Sequence, residues 1–142
     1  MKAPVPVLRS TIIAALGGLL FGFDTAVISG ATGVLEKVFD LSAAGLGFTV
    51  AIALVGTVAG SIIAGKPSDF FGRKVALLAI AALYAISSFG TGIAWDWYSF
   101  LAFRFLGGIA VGGASVVSPM YIAEISPAAI RGRLVATQQF NV

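Results

Sequence analysis

Four long apolar runs constrain the fold of this chain more than any other feature of its sequence. They span residues 11–31, 43–64, 75–94 and 99–123, and each has the roughly 20 residues that an α-helix needs to cross a ~30 Å hydrocarbon core. Charged residues make up 11% of the chain and hydrophobic residues 58%, whereas soluble domains carry about 25% charged residues. The sequence therefore predicts an all-α integral membrane protein with four transmembrane helices, and Ser10 and Ser42 are candidate N-caps of the first two.

The positions of the basic residues predict how these helices are oriented. Seven of the nine lysines and arginines lie before the first run, between the second and third, or after the fourth: Lys2, Arg9, Lys66, Arg73, Lys74, Arg131 and Arg133. The opposite connections hold Glu36, Lys37 and Asp40, and then Asp96 within the aromatic stretch WDWYSF. Because cytoplasmic loops carry the excess of positive charge, we expect a multi-pass protein of the cell membrane with its N-terminus in the cytoplasm. This placement also argues against nucleic acid as the partner of the net charge of +3.

The composition removes several classes of function. The chain has no cysteine and no histidine, so the sequence offers neither a disulfide nor a typical metal-ligand cluster. No nucleophile–base pair is recognisable, and the glycine-rich stretch GGIAVGG lies inside an apolar run with no strand before it. We therefore expect no catalytic residue, no metal site and no organic cofactor, and the protein is not predicted to be an enzyme.

Small residues recur at four-residue spacing in two of the runs. Gly56, Gly60 and Ala64 share one face of the second predicted helix, and Gly108 and Gly112 share one face of the fourth. Small residues spaced in this way let helices approach closely in lipid. We predict tight helix packing at these positions.

Asp24 and Arg104 are the two charges that lie well inside the predicted spans. A rise of 1.5 Å per residue places Asp24 about 21 Å from the cytoplasmic face and Arg104 about 20 Å from the same face. Pairing lowers the cost of keeping opposite charges in a membrane, so we expect these two side chains to be neighbours. The pair is either a static structural ion pair or a site where the carboxylate binds and releases protons.

Two polar segments lie at the predicted cytoplasmic ends of the helices. In the loop GKPSDFFGRK, Gly65 and Gly72 permit tight turns, and Asp69 is a candidate helix cap. After the fourth run, the segment EISPAAIRGRL predicts a fifth helix that starts at about residue 127, with Ser126 as its cap and Pro127 in its first turn. That helix is too short to cross a bilayer before the sequence ends. We therefore expect the chain to be the front portion of a larger protein.

Four motifs in order along the chain resemble a known family. The spacing G-x-x-x-D-x-x-G-R-K in the loop at residues 65–74 is similar to the signature of the major facilitator superfamily, with Phe70 where a basic residue is common. Three further segments resemble its sugar-porter family: FGFDTAVISG, RFLGGIAVGG, and PMYIAEISPAAIRG with its P-x-Y-x-x-E-x-x-P…R-G pattern. The resemblance implies a twelve-helix fold in two six-helix halves. This chain would supply four transmembrane helices and the start of a fifth from the N-terminal half.

The resemblance also implies roles for individual residues. Asp24 matches the acidic position of proton-coupled members and Arg104 the arginine that faces it, so protons would be the coupling ion. Phe21 and Gln139 match positions that contact sugar. A cytoplasmic gate would comprise Gly65, Asp69, Gly72, Arg73, Glu124 and Arg131, although Glu124 and Arg131 also suit a simple surface ion pair. The implied partners are a monosaccharide, either a hexose or a pentose, the lipid bilayer and a C-terminal half of the transporter.

Three hypotheses about function follow from these residues. The first is the N-terminal part of a secondary active transporter that moves a monosaccharide by proton symport with alternating access. The second is a facilitative sugar uniporter, in which Asp24 would be half of a structural ion pair. The third is a non-transporting fragment or a sugar sensor.

Overall fold

The computed structural model describes the backbone of residues 5–139. Its described side chains are those of residues 22–136, together with Arg9, Ile12, Ile13, Leu16 and Leu19. Within this part of the chain all regular structure is helical, as six helices: α1 Val5–Val38, α2 Ala43–Ile63, α3 Gly65–Phe71, α4 Arg73–Gly92, α5 Trp97–Ile125 and α6 Arg131–Gln139. The all-α fold expected from the sequence is confirmed.

Three of the described helices are long and apolar enough to cross a membrane. They are α2, α4 and α5, with 21, 20 and 29 residues. The first predicted span, 11–31, lies inside the 34-residue helix α1. Many large apolar side chains on these helices face outward, among them Leu54, Val58 and Phe89. Such faces suit contact with lipid or with further helices.

The first helix is longer at both ends than the sequence analysis predicted. It starts at Val5, so Ser10 lies inside the helix instead of capping it, and it continues through Glu36 and Lys37 of the predicted outer loop. The connection to α2 is left with four residues, 39–42, and Asp40 there has a φ of 49°. Ser42 does cap α2, because its hydroxyl accepts a hydrogen bond from the Gly45 amide at 3.2 Å.

The predicted loop at residues 65–74 contains a short helix of its own. Gly65 is the first residue of α3, and Gly72 separates α3 from α4 with a φ of 89°, a left-handed value that favours glycine. The turn predicted at Gly72 is therefore present, whereas Gly65 is helical. Asp69 caps neither helix and instead forms an ion pair with Arg73.

The fifth predicted helix starts later than expected. Ser126 ends α5, where its hydroxyl donates a hydrogen bond to the Ile122 carbonyl, and Pro127 begins a turn that is closed by the Ile130 amide. Helix α6 then begins at Arg131 and not near residue 127. Ser126 stabilises the C-terminal end of α5, because its hydroxyl bonds to a carbonyl that the helix leaves free.

Helix α5 is the centre of the bundle, and α1, α2 and α4 pack around it. The glycine faces of α2 and α5 meet directly. A methyl group added at Gly56 or Gly60 would overlap the carbonyl oxygens of Phe105 or Ile109, and one added at Gly112 would overlap that of Thr57. The close helix approach predicted from the four-residue spacing is thus observed, and its contacts are backbone against backbone.

Aromatic residues lie where α5 begins. Trp95 and Tyr98 are exposed, as membrane-interface anchors should be. Trp97 is different, because its indole Nε1 donates a hydrogen bond to the buried Thr49 Oγ1 of α2 at 2.8 Å. Part of the aromatic stretch therefore joins α2 to α5.

Candidate functional site

The structure brings Asp24 of α1 and Arg104 of α5 into direct contact. Arg104 Nη1 donates a hydrogen bond to Asp24 Oδ1 at 2.8 Å. The arginine side chain is 7% exposed and the aspartate 32%, so the cation is enclosed while the carboxylate keeps some access. This contact was predicted, because the positions of Asp24 and Arg104 in their apolar runs place both charges at similar depths in the membrane.

The position of Arg104 on α5 depends on the close contact between α5 and α2 at Gly108. It lies one turn before Gly108, at which a methyl group would overlap the Ala53 carbonyl oxygen of α2. Helix α2 therefore runs close beside the arginine and helps to bury it. Because a buried charge is stable only when it is paired, Asp24 supports the position of Arg104. The remaining Arg104 Nε has no hydrogen-bond partner within the described residues.

A cleft of about 110 Å³ opens beside this pair, between α1, α2 and α5. Ten residues line it: Asp24, Thr25, Ile28, Val50, Ala53, Leu54, Thr57, Arg104, Gly108 and Val111. Most of this lining is apolar, and its polar groups are the ion pair and the two threonines. The threonines are not recognisable as site residues from the sequence, since a threonine in an apolar helix commonly bonds to its own backbone, as Thr57 does to the Ala53 carbonyl.

Tyr84 is a further polar residue near the pair that the sequence analysis did not identify. It is half-buried on α4 and lies near enough to Asp24 and Arg104 to feel the charges of both. The sequence contains one signal for it, a phenol in the middle of an apolar run. Tyr84 is far from Asp24 and Arg104 along the chain, so the sequence does not show that it lies near them in space.

A second polar cluster joins α3, α4 and α5 at one end of the bundle. Arg73 binds two carboxylates, with Nη1 at 2.5 Å from Asp69 Oδ1 and Nε at 2.9 Å from Glu124 Oε1. Arg131 instead donates from Nη2 to the Ser126 carbonyl at 3.4 Å. The predicted gate residues thus lie at one end of the bundle, and the partner of Glu124 there is Arg73. Both carboxylates are exposed, so each pair contributes little to stability.

The two predicted sugar contacts lie outside the described side chains. Phe21 is in α1, one helical turn before Asp24, and Gln139 is the last residue of α6. Their backbones are helical, and their roles remain those that the family resemblance implies.

Comparisons with known proteins agree with this architecture. The Sugar (and other) transporter family model matches residues 10–142. The chain is 47% identical over 130 residues to the glucose transport protein of Synechocystis, covering 92% of this chain and 28% of that protein. It is 44% identical over 160 residues to the D-xylose-proton symporter of Escherichia coli K12, covering 93% and 32%. The solved inward-open structure of the xylose transporter XylE from E. coli matches with a TM-score of 0.84 and 45% identity, covering 95% of this chain and 36% of that chain.

Membrane-length helices packed around a buried ion pair are typical of a multi-pass membrane protein, and the matched family is one of transporters and not of enzymes. The chain belongs to the sugar-porter family of the major facilitator superfamily, as its motifs predicted. It spans between 28% and 32% of the length of the curated relatives described above.

Proposed function

We propose that this chain forms the first part of the N-terminal half of a transporter that moves a monosaccharide, a hexose or a pentose, together with protons. The observation that carries the proposal is the Asp24–Arg104 contact, a carboxylate held by a buried arginine inside the membrane-spanning bundle. Intramembrane carboxylates are characteristic of proton relays. Relatives support the choice of cargo, since they include the D-xylose-proton symporter of E. coli and the arabinose-proton symporter of Bacillus subtilis.

The coupling follows from the charge balance of the pair. An ionised Asp24 is neutralised by Arg104, which ties α1 to α5. A protonated Asp24 no longer balances the arginine, so the contact between the two helices weakens. A transporter with alternating access has two states, and the free energy of protonating Asp24 therefore differs between them. That difference is the property that a coupling ligand needs.

The Arg73 cluster is proposed to belong to the gate of the same cycle. Arg73 links α4 to α3 through Asp69 and to α5 through Glu124. These exposed pairs are weak and therefore reversible. We assign to this cluster the contacts that form with a second six-helix half when the cytoplasmic side closes.

We expect the N-terminus and the α3 end of the bundle to face the cytoplasm. Lys37 and Lys74 provide a matched pair of probes, because both are exposed and lie at opposite ends of the bundle. The chain has no cysteine of its own. On intact cells an impermeant thiol reagent should label Lys37→Cys and should reach Lys74→Cys only after permeabilisation. The opposite labelling pattern would invert the topology.

Sugar uptake by the complete transporter should carry protons with it. In proteoliposomes with no initial pH difference, adding the transported sugar outside should raise the external pH as protons enter with it. Sugars that are not transported, and vesicles without protein, serve as controls. Saturable sugar uptake with no pH change would identify a facilitative carrier and contradict proton symport. Binding without any uptake would identify a sensor.

A further inference from the structure

The short helix α3 presents two phenylalanine rings away from the bundle. Phe70 is 82% exposed and Phe71 is 63% exposed, and the two rings meet edge to face with their centroids 4.9 Å apart. Ser68, two residues before Phe70 and therefore on the other side of the helix, is fully buried. Phe70 also stands at the motif position where a basic residue is common. An exposed apolar pair of this kind marks a surface that contacts something other than water.

The two rings continue an apolar surface that belongs to the membrane. Ile62 and Ile63 end α2 immediately before α3, Val75 lies in the first turn of α4, and all three side chains are exposed. Both α2 and α4 are long and apolar enough to cross a membrane. Their exposed apolar residues nearest α3 therefore lie at the edge of the hydrocarbon layer. Because α3 has seven residues and joins these two ends, it lies at the same boundary.

The charges that accompany the rings are positive. Arg73 is matched by two carboxylates, whereas Lys66 and Lys74 are exposed and form no ion pair among the described residues. Lys66 lies one helical turn before Phe70 on the same face of α3. A lysine has a long apolar stem, so its ammonium group reaches the headgroups while the stem lies against acyl chains. Apolar rings with lysines beside them are typical of segments that bind anionic lipid surfaces.

We propose that α3 binds an anionic phospholipid leaflet, with the rings of Phe70 and Phe71 inserted at the boundary between headgroups and acyl chains and with Lys66 and Lys74 bound to lipid phosphates. A protein surface over the same face would have to supply an apolar pocket and also carboxylates for two lysines. An anionic leaflet offers an apolar layer beneath a negative one, which is the order in which α3 presents its rings and its ammonium groups. The inference concerns lipid, and it does not depend on which sugar or ion is transported.

Tryptophan quenching by brominated lipid tests the insertion in the complete transporter. Phe70→Trp keeps an aromatic ring at this position, and bromine atoms on acyl chains quench a tryptophan that they contact. The emission of the parent protein, which includes Trp95 and Trp97, is subtracted as background. In vesicles of brominated phosphatidylcholine and phosphatidylglycerol, the added tryptophan should lose most of its emission. Quenching by aqueous iodide instead would place α3 in water. Protection from both quenchers would place the second six-helix half or another protein over it, and either result would overturn the proposal.

The lysines provide a separate test of the lipid charge. Brominated phosphatidylglycerol should quench the added tryptophan more strongly than brominated phosphatidylcholine at the same mole fraction. Lys66→Gln and Lys74→Gln should each lower this preference roughly fivefold, the effect of one cation close to an anionic surface. Lys37→Gln makes the same change at an exposed lysine of the opposite end of the bundle and should leave the preference unchanged.

Two results would contradict the assignment of an anionic lipid. One is equal quenching by the two brominated lipids, and the other is a preference that survives when Lys66 and Lys74 are both replaced by glutamine. None of these measurements requires transport. A protein that moves sugar without protons would therefore refute the proposed symport and leave the lipid site in place, whereas an unquenched tryptophan in an active symporter would refute the lipid site alone.

Discussion

Replacing Asp24 with asparagine should abolish uphill sugar accumulation by the complete transporter, while part of its sugar exchange at equal pH persists. Asparagine is close in shape to a protonated aspartic acid and still offers Arg104 an acceptor oxygen, but it does not bind or release a proton in the physiological range. The variant therefore stays in one charge state. Net proton-driven transport needs both states, whereas exchange of one sugar for another moves no proton across the membrane. Radiolabelled sugar uptake after a pH step, compared with counterflow, measures the two activities separately.

Asp40→Asn is a matched control for this experiment. It makes the same chemical change at an exposed position outside the pair, and asparagine tolerates the φ of 49° that Asp40 adopts. It should accumulate sugar like the wild type. Arg104→Leu should impair accumulation and exchange together, because it leaves the Asp24 carboxyl without the cation that holds it. If Asp24→Asn still accumulates sugar against its gradient, the pair is structural and the proton role is wrong.

Gly60→Ala should destabilise the bundle strongly although it adds a single methyl group. That group would overlap the backbone of Ile109 in α5, and a backbone has no alternative rotamer that could move aside. Overpacking of this kind costs about 1–3 kcal/mol, and here it also separates α2 from the helix that carries Arg104. Thermal unfolding in detergent, followed by the fluorescence of Trp95 and Trp97, should show a clearly lower midpoint.

Gly47→Ala provides the comparison on the same helix. An added methyl group at Gly47 meets nothing within 4 Å, and alanine favours a helix over glycine by about 0.5–1 kcal/mol. Its midpoint should stay equal or rise slightly. Equal losses in both variants would mean that the close approach of α2 and α5 contributes no specific stability.

Much of the candidate site could be predicted from local sequence. A charge in an apolar run is visible without a structure, and the fixed rise of a helix converts its position into depth. Asp24 and Arg104 were therefore expected as neighbours, and the structure joins them at 2.8 Å. Glycine spacing indicated in the same way where two helices approach.

Helix ends were predicted less well, because several local signals compete there. Ser42 caps α2 as expected. Ser10 and Asp69 are residue types that often cap helices, but Ser10 lies inside α1 and Asp69 forms an ion pair. Helix α1 continues through Glu36 and Lys37 because polar residues are compatible with a helix that extends beyond the apolar layer. Asp69 faces Arg73 one turn later, and the ion pair replaces the cap.

The sequence by itself thus determined the class of fold and the identity of its buried pair, since hydrophobic length and isolated charge are local properties of the chain. Only the tertiary structure decided which groups from separate helices meet. It paired Glu124 with Arg73 while Arg131 contacts the Ser126 carbonyl, placed Thr57 in the cleft beside Asp24, and left Arg104 Nε unpaired among the described residues. Such contacts depend on the rotation and crossing angles of whole helices. Those angles result from many small packing interactions acting together.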